Sequence, residues 1–510
     1  MTYRFGMRRA LLAGTAFFLA GCTEQAADDN ALGEQLYQAN CAACHGADGM
    51  GVAGEHPPLK DSDWLEGDER RLISVVLNGL SGPILVNDEP WDGQMPGFPQ
   101  LGDSEVAALL NYVRATFHKD RLAPIDAAAV AEVREHTERY GVTGTIAARE
   151  GPREREYKDY PEGYLDLAGL QLPPGFNIEV YAKVNDARSL ALGDGGTVFV
   201  GNNRHGEEVY ALVDRDRDNQ AERVHTIASG LVRPNGVAFR DGALYVAEIT
   251  RILKFPNIER NLAAPPKPEV VFDGFPNQTK HEKKFMKFGP DGKLYVPVGA
   301  DCNVCPPKND MDGTIVRMKP DGSDLEVIAR GVRNSVGMDW HPQTGKLWFT
   351  DNGRDLMGDD IPACEINRLD RIGQHFGFPA CHARSVVHPE FGDARACTRS
   401  TPPVHEVTAH ASPLGMIFYN GKMFPPRYRG ALFVAEHGSW NRDGKVGYQV
   451  SMAQVRDGKV VSYTPFVSGW LDAKRDAYWG RPVDLLQMPD GALLLSDDWA
   501  NVVYRISYEG

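Results

Sequence analysis

Six short segments of this chain repeat one pattern, a small polar turn followed by an apolar strand. They are "DGGTVFVGN" from Asp194, "DGALYVAE" from Asp241, "DGKLYVPVG" from Asp291, "TGKLWFTDNG" from Thr344, "RGALFVAEHG" from Arg429 and "DGALLLSDD" from Asp490. The turn glycines, Gly196, Gly242, Gly292, Gly345, Gly430 and Gly491, recur at intervals of 46, 50, 53, 85 and 61 residues. Self-similarity at such a period marks one supersecondary unit that buries its faces only by stacking on copies of itself. A blade of four antiparallel strands takes roughly 40 to 50 residues with its loops. The pattern therefore predicts an all-β six-bladed propeller over about 166–510, with a long excursion between Gly345 and Gly430. Its functional loops would converge at the central channel.

Ahead of the repeats stands "NCAACHGADGMG", residues 40–51. In C-x-x-C-H two thioethers, here from Cys41 and Cys44, hold a porphyrin, and the histidine, His45, reaches the iron from the same turn. A sixth ligand is needed, and a methionine would raise the potential. Met50 is too close to His45 to cross to the other haem face, which leaves Met95 in "GQMPGFPQL". Two helices frame the site. "ALGEQLYQANCAAC" leads into the cysteines, and "DSEVAALLNYVRATF" starts at an Asp103 or Ser104 cap with Val106, Leu109, Leu110 and Val113 on one face. Gly33 and Tyr37 on the first helix are expected to pack against Tyr112 on the second. The stretch 31–118 resembles a class I cytochrome c, which implies a small all-α domain carrying covalent haem c. Residues 119–165 are charged and alanine-rich, and read as a helical tether.

The first residues read as a targeting segment. Arg4, Arg8 and Arg9 precede "ALLAGTAFFLA", which is too short to span a bilayer. Leu19-Ala20-Gly21-Cys22 resembles the lipobox of bacterial lipoproteins, implying a signal peptide over 1–22, export to the periplasmic side and a lipid anchor on Cys22. In an oxidising compartment Cys302–Cys305 and Cys381–Cys397 are candidate disulfides, with Cys364 left over. Zinc is disfavoured because no second close pair completes a four-ligand set. A net charge of -14 excludes a nucleic-acid surface, which needs clustered Lys and Arg.

Several stretches carry a further resemblance: "HEKKFMKFGPDGKLYVPVGA", "GVRNSVGMDWHPQTGKLWFTDNGRD", "HFGFPACH" and "FVAEHGSWNR". From "QLPPGFNIEVYA" onward the chain resembles the glucose/sorbosone dehydrogenase family, which uses pyrroloquinoline quinone (PQQ) and calcium. In that family the base is a histidine eight residues before "GPD", the position His281 occupies. The resemblance places Arg333, Asn334 and Arg481 on PQQ, with Arg204 and His437 facing the same end of their blades. It assigns the calcium to the carbonyls of Gly353 and Arg354. Arginines suit the three PQQ carboxylates because they grip bidentately, and calcium prefers oxygen ligands, carbonyls included. Trp440 and Trp479 could stack on the planar cofactor, although each reads more simply as core. One departure stands out. Soluble glucose dehydrogenases orient the base with an aspartate directly after the strand glycine, whereas here Gly299 is followed by Ala300 and then Asp301. Either Asp301 takes over or His281 is oriented differently. An acidic loop, "DRDRDNQAE" from Asp214, lacks the sixth-position glycine and twelfth-position glutamate of a calcium loop and reads as a solvated turn.

Together these readings imply a quinohaemoprotein that oxidises a sugar, an aldose or a ketoaldose such as sorbosone. PQQ electrons would pass to haem c and then to a respiratory acceptor. Two readings stay open beside it: a haem electron-transfer protein whose propeller only docks, and a calcium-dependent propeller hydrolase.

Overall fold

Each of the six repeat glycines lies at the turn between the first and second strand of an antiparallel sheet, with φ between +65° and +98°. Those left-handed turns cost glycine little and any other residue more. At Asp241-Gly242 both turn residues are left-handed, the two-residue geometry that matches strand twist. The computed structural model describes residues 20–62, 64–65, 69–87, 89–118, 124–140, 146–147, 160–203 and 207–510. They fall into two compact units divided between residues 155 and 156. The targeting reading of residues 1–19 and the cofactor reading of Arg204 lie outside the described residues. Among those described, no helix is long and apolar enough to cross a membrane.

The second unit is a six-bladed propeller. Five blades are consecutive, over 190–228, 236–272, 287–330, 338–407 and 413–467. The sixth takes three strands from the C-terminus and its outermost from Phe176–Lys183, so that strand, paired with Val502–Tyr508, closes the ring. Neighbouring blades cover both faces of each second strand. Hence Ala243–Ala247, Leu294–Val298, Leu347–Asp351, Leu432–Glu436 and Leu493–Asp497 are buried at every residue and read as near-continuous apolar runs. The outer strand Glu269–Phe272 is exposed or half-buried throughout. One apolar cluster fills each of the six blade interfaces, with Leu494 and Val503 of the last blade meeting Val198 and Val200 of the first. The long excursion lies where expected. It adds Gln374–His375 in parallel to the third blade and carries the Cys381–Cys397 disulfide.

The first unit contains helices α1 (Ala20–Asn40), α2 (Ala42–His45), α3 (Glu69–Asn78), α4 (Asp103–Phe117) and α5 (Ala127–Tyr140). Gly33 lets α1 close on α4, since a Cβ there would meet the Ala108 carbonyl at 2.3 Å and Tyr112 Cβ at 2.6 Å. The cap of α4 is Gly102, whose amide donates to Glu105 Oε2 at 2.7 Å, rather than Asp103 or Ser104. Two further features depart from the sequence reading. Strands β1 (Leu80–Val86) and β2 (Glu89–Met95) form a hairpin, which the all-α reading did not anticipate. The supposed tether also begins inside this unit. Ile125 and Val130 are buried in its core, and Arg134 pairs with Asp103 and with the carbonyls of Pro99 and Leu101.

Candidate functional sites

In the first unit α1 breaks at Cys41 and α2 supplies one turn, which brings Cys41, Cys44 and His45 to the lining of one cleft. Met95, the last residue of β2, lines the same cleft with Trp91, Pro57 and Phe98. His45 donates from Nδ1 to the Pro57 carbonyl at 2.9 Å, leaving Nε2 for a metal. Burial lowers its pKa, so the ring stays neutral as a ligand must. The Trp91 indole N–H is buried without a partner among the described residues. Two thiols, an oriented imidazole, a thioether and an unspent donor fit a covalent haem.

In the propeller each first strand begins where its second strand ends, as the pairs Gly236↔Ala247, Pro413↔Glu436 and Pro482↔Asp497 show. Residues just before first strands and just after second strands therefore share one face. His281, Arg333 and Arg481 come from the former positions, and Asn352, His437 and Asp498 from the latter.

His281 has φ +47° and packs on Gly299, where an added Cβ would lie 2.6 Å from the His281 Cβ. Its Nδ1 sits 2.7 Å from the Ala300 carbonyl, which fixes the proton on Nδ1 and leaves the Nε2 lone pair open. Burial first, then Arg333 and the Lys283 and Lys280 charges, hold it well below 6.5. Asp301 does not touch the ring. Its carboxylate accepts from the amides of Thr279 and Lys280 and pairs with Lys308, so it shapes the loop that delivers His281. A backbone carbonyl has replaced the orienting carboxylate.

Arg333 is 4% exposed and spends its guanidinium on protein acceptors. Nε and Nη2 donate to the carbonyl and side chain of Asn303, Nη1 to the carbonyls of Asn352 and Gly353, and Nη2 also to Asp355. It ties the Cys302–Cys305 loop to the fourth blade. The Asn334 amide donates to Asp351, while no partner for its side chain occurs among the described residues. Arg354 donates to His388 on the excursion.

Arg481 behaves differently. It is half-buried over Tyr478, donates from Nε to the His437 carbonyl, and keeps its terminal nitrogens unpaired among the described residues. His437 donates from Nε2 to Asp498, which also holds Arg188 at 2.8 Å. Burial would raise Asp498, but His437, Arg188 and Arg481 keep it well below the usual carboxylate range. Burial, then Arg481, brings His437 down to about 3, so it is a neutral donor. Lys283 stands half-buried beside this cluster without a hydrogen bond among the described residues, and burial, then Arg188, lowers it to about 8. Trp479 is core at 3% exposure, whereas Trp440 is 70% exposed and not core.

Arg188, Lys283 and Asp498 escaped the sequence reading. A signal existed for Asp498, which follows its repeat strand at the position where His437 and Asn352 follow theirs.

The profile of a family described as "Domain of unknown function (DUF7133)" matches residues 162–505, and that of "Cytochrome c" matches residues 30–117. An uncharacterized protein of Borreliella burgdorferi is 33% identical over 357 residues, spanning 67% of this chain and 91% of that one. Cytochrome c-552 of Thermus thermophilus is 40% identical over 111 residues, 21% of this chain and 70% of its own. The holo form of the pyranose dehydrogenase PQQ domain from Coprinopsis cinerea superposes with a TM-score of 0.57 at 18% identity, covering 66% of this chain and 97% of that one. At that identity the likeness shows the fold.

Proposed function

The chain belongs to the family described as Domain of unknown function (DUF7133), joined to a cytochrome c domain, and from that premise we propose a quinohaemoprotein oxidoreductase that oxidises a sugar. The observation that carries this reading is His281, a neutral imidazole held through Nδ1 with Nε2 open, beside unspent cationic donors. PQQ, when bound, supplies a two-electron acceptor, calcium beside it a Lewis acid, and the haem a one-electron carrier.

The residues fit a planar tricarboxylate. The terminal nitrogens of Arg481 and the Lys283 ammonium are cationic donors without an acceptor among the described residues, and Asn334 adds an amide. Buried oxygens of Asn352 and Asn441 lack partners among the described residues. Unsatisfied groups of this kind cost about 1–3 kcal/mol each, and a polar ligand would recover that cost. Arg333 supports the wall of the site. The Gly353 carbonyl gives one lone pair to Arg333 and keeps another for a cation, with the Asp355 carboxylate at hand to offset the added charge.

His281 Nε2 takes the proton of the substrate hydroxyl while Nδ1 stays on the Ala300 carbonyl. Among the described residues no carboxylate touches the ring, so the proton is readily released. The Cys302–Cys305 loop and the excursion rim the face and would set which sugar enters. Export, a lipid anchor at Cys22 and delivery of electrons to a respiratory acceptor complete the reading. The test is to add PQQ and calcium to the haem-loaded protein, then aldoses and ketoaldoses, and follow the haem absorption band. Reduction that requires sugar, PQQ and calcium together is expected. A silent haem with ester or lactone turnover would replace this reading with a hydrolase.

A further inference from the structure

The loop between the third and fourth strands of the first blade, Asp214–Glu222, holds Asp214, Asp216 and Asp218 with a carboxylate oxygen of each within 4.8 Å of the others. One oxygen of each is used inside the loop. Asp214 Oδ2 accepts from the Asn219 amide, Asp216 Oδ1 from that of Asp218, and Asp218 Oδ1 from that of Gln220. Asp214 Oδ1 is left buried without a partner among the described residues.

A second observation comes from another part of the ring. Tyr181, on the ring-closing strand Phe176–Lys183, is 2% exposed, and its hydroxyl has no partner among the described residues. The Ala221 amide donates to the Tyr181 carbonyl at 2.8 Å, so the strand lies against this loop. Among the neighbouring charges, the phenol feels Asp214 most strongly. The Tyr181 hydroxyl and Asp214 Oδ1, on two segments that touch through the backbone, are thus both buried and both unspent among the described residues.

We propose that Asp214, Asp216, Asp218 and the Gln220 carbonyl bind a calcium ion, and that the ion fastens the first blade to the strand that closes the ring. Aspartates at positions one, three and five with a carbonyl at seven are the ligand order of a calcium loop. Asn219 at position six has φ +75°, the turn a glycine usually provides. An all-oxygen set on an irregular loop suits calcium over zinc or magnesium. The site is weak. Position twelve is His225, and Glu222 at nine spends its oxygens on the amides of Arg215 and Asp216. A dissociation constant on the order of 10⁻⁴ to 10⁻³ M follows.

The test uses full-length, haem-loaded protein stripped of metal and free of PQQ, so failure here is separate from failure of the catalytic reading. Calcium at about ten times its dissociation constant should raise the melting temperature of the propeller transition by about 2 °C. Asp216→Asn with Asp218→Asn, both exposed positions, should abolish that shift, and magnesium should not reproduce it. An equal calcium shift in parent and variant, or none in the parent at about 10 mM calcium, overturns the proposal. Terbium provides a readout that needs only the parent and a core-tolerated change. Its luminescence on tyrosine excitation should be displaced by calcium and dimmed in Tyr181→Phe. Undiminished luminescence in Tyr181→Phe would remove the ion from this seam.

Discussion

The cytochrome unit and the propeller each hold a histidine ring through Nδ1 on a backbone carbonyl, and they assemble its surroundings in opposite ways. In the cytochrome three of the four expected haem contacts fall within five residues, Cys41 to His45, on one helical turn. In the propeller His281, Arg481, His437 and Asp498 come from four loops on three blades and share one face only because each blade turns the same end to it. A contiguous motif is a local geometry that survives in almost any setting. A distributed site depends on the ring being closed, which explains why so many of its groups, such as Arg333, are spent on holding walls.

The sharpest way to break this contrast is His281→Ala. Turnover should fall by roughly 10² to 10⁴, the usual contribution of a positioned base, while the haem spectrum stays unchanged. In the parent the acid limb should lie well below pH 6.5. The base works only when neutral, its pKa is lowered by burial and by Arg333, and activity is lost only as pH drops through that lowered value. A limb at 6.5 or above would reject the buried setting described for this ring.

Arg333 and Arg481 separate wall from ligand. Removing the buried Arg333 takes from Asp355 the one cation paired with it among the described residues, leaving it the Asn441 amide, and strips the Asn303, Asn352 and Gly353 carbonyls of that donor. Arg333→Ala should therefore destabilise the propeller by about 3 kcal/mol in denaturant melts. Arg481→Ala should leave melting nearly unchanged and weaken PQQ binding by roughly tenfold, about 1.4 kcal/mol. The reverse ranking would show the two roles exchanged.

On the cytochrome side, Met95→Ala should keep haem covalently attached, lose the low-spin Met/His spectrum and lower the potential. The propeller melt should not move. A pH-dependent effect concerns the buried pair behind Arg333. Glu365 faces Asp351 across two strands, and burial, then the Asp351 charge, pushes it up to about 8. The native state holds a proton there that the unfolded chain releases above about 4.5, so stability should decline as pH rises from about 5 to 8. Glu365→Gln should flatten that slope in melting curves.

The blade count, the long excursion between Gly345 and Gly430 and the haem wall were legible because each rests on local order: a left-handed glycine turn before an apolar strand, or two cysteines and a histidine on one turn. His281 was reached through a resemblance, and its spacing alone would have left it a surface histidine in "KHEKK". The hairpin carrying Met95 was missed because its prolines and glycines mask the alternation of Ile84, Val86 and Trp91. What the chain determined by itself were features set by neighbours along the backbone, the repeat turns and the haem motif, although the Gly102 cap and the hairpin, also local, were not read. The tertiary structure alone decided that a carbonyl orients His281, that Arg333 is spent and Arg481 is not, and that Tyr181 of the closing strand lies under the acidic loop of the first blade. The reason is physical: the free donors and acceptors at a face built from six blades are whatever the packing of distant segments leaves unpaired, and no local pattern encodes that remainder.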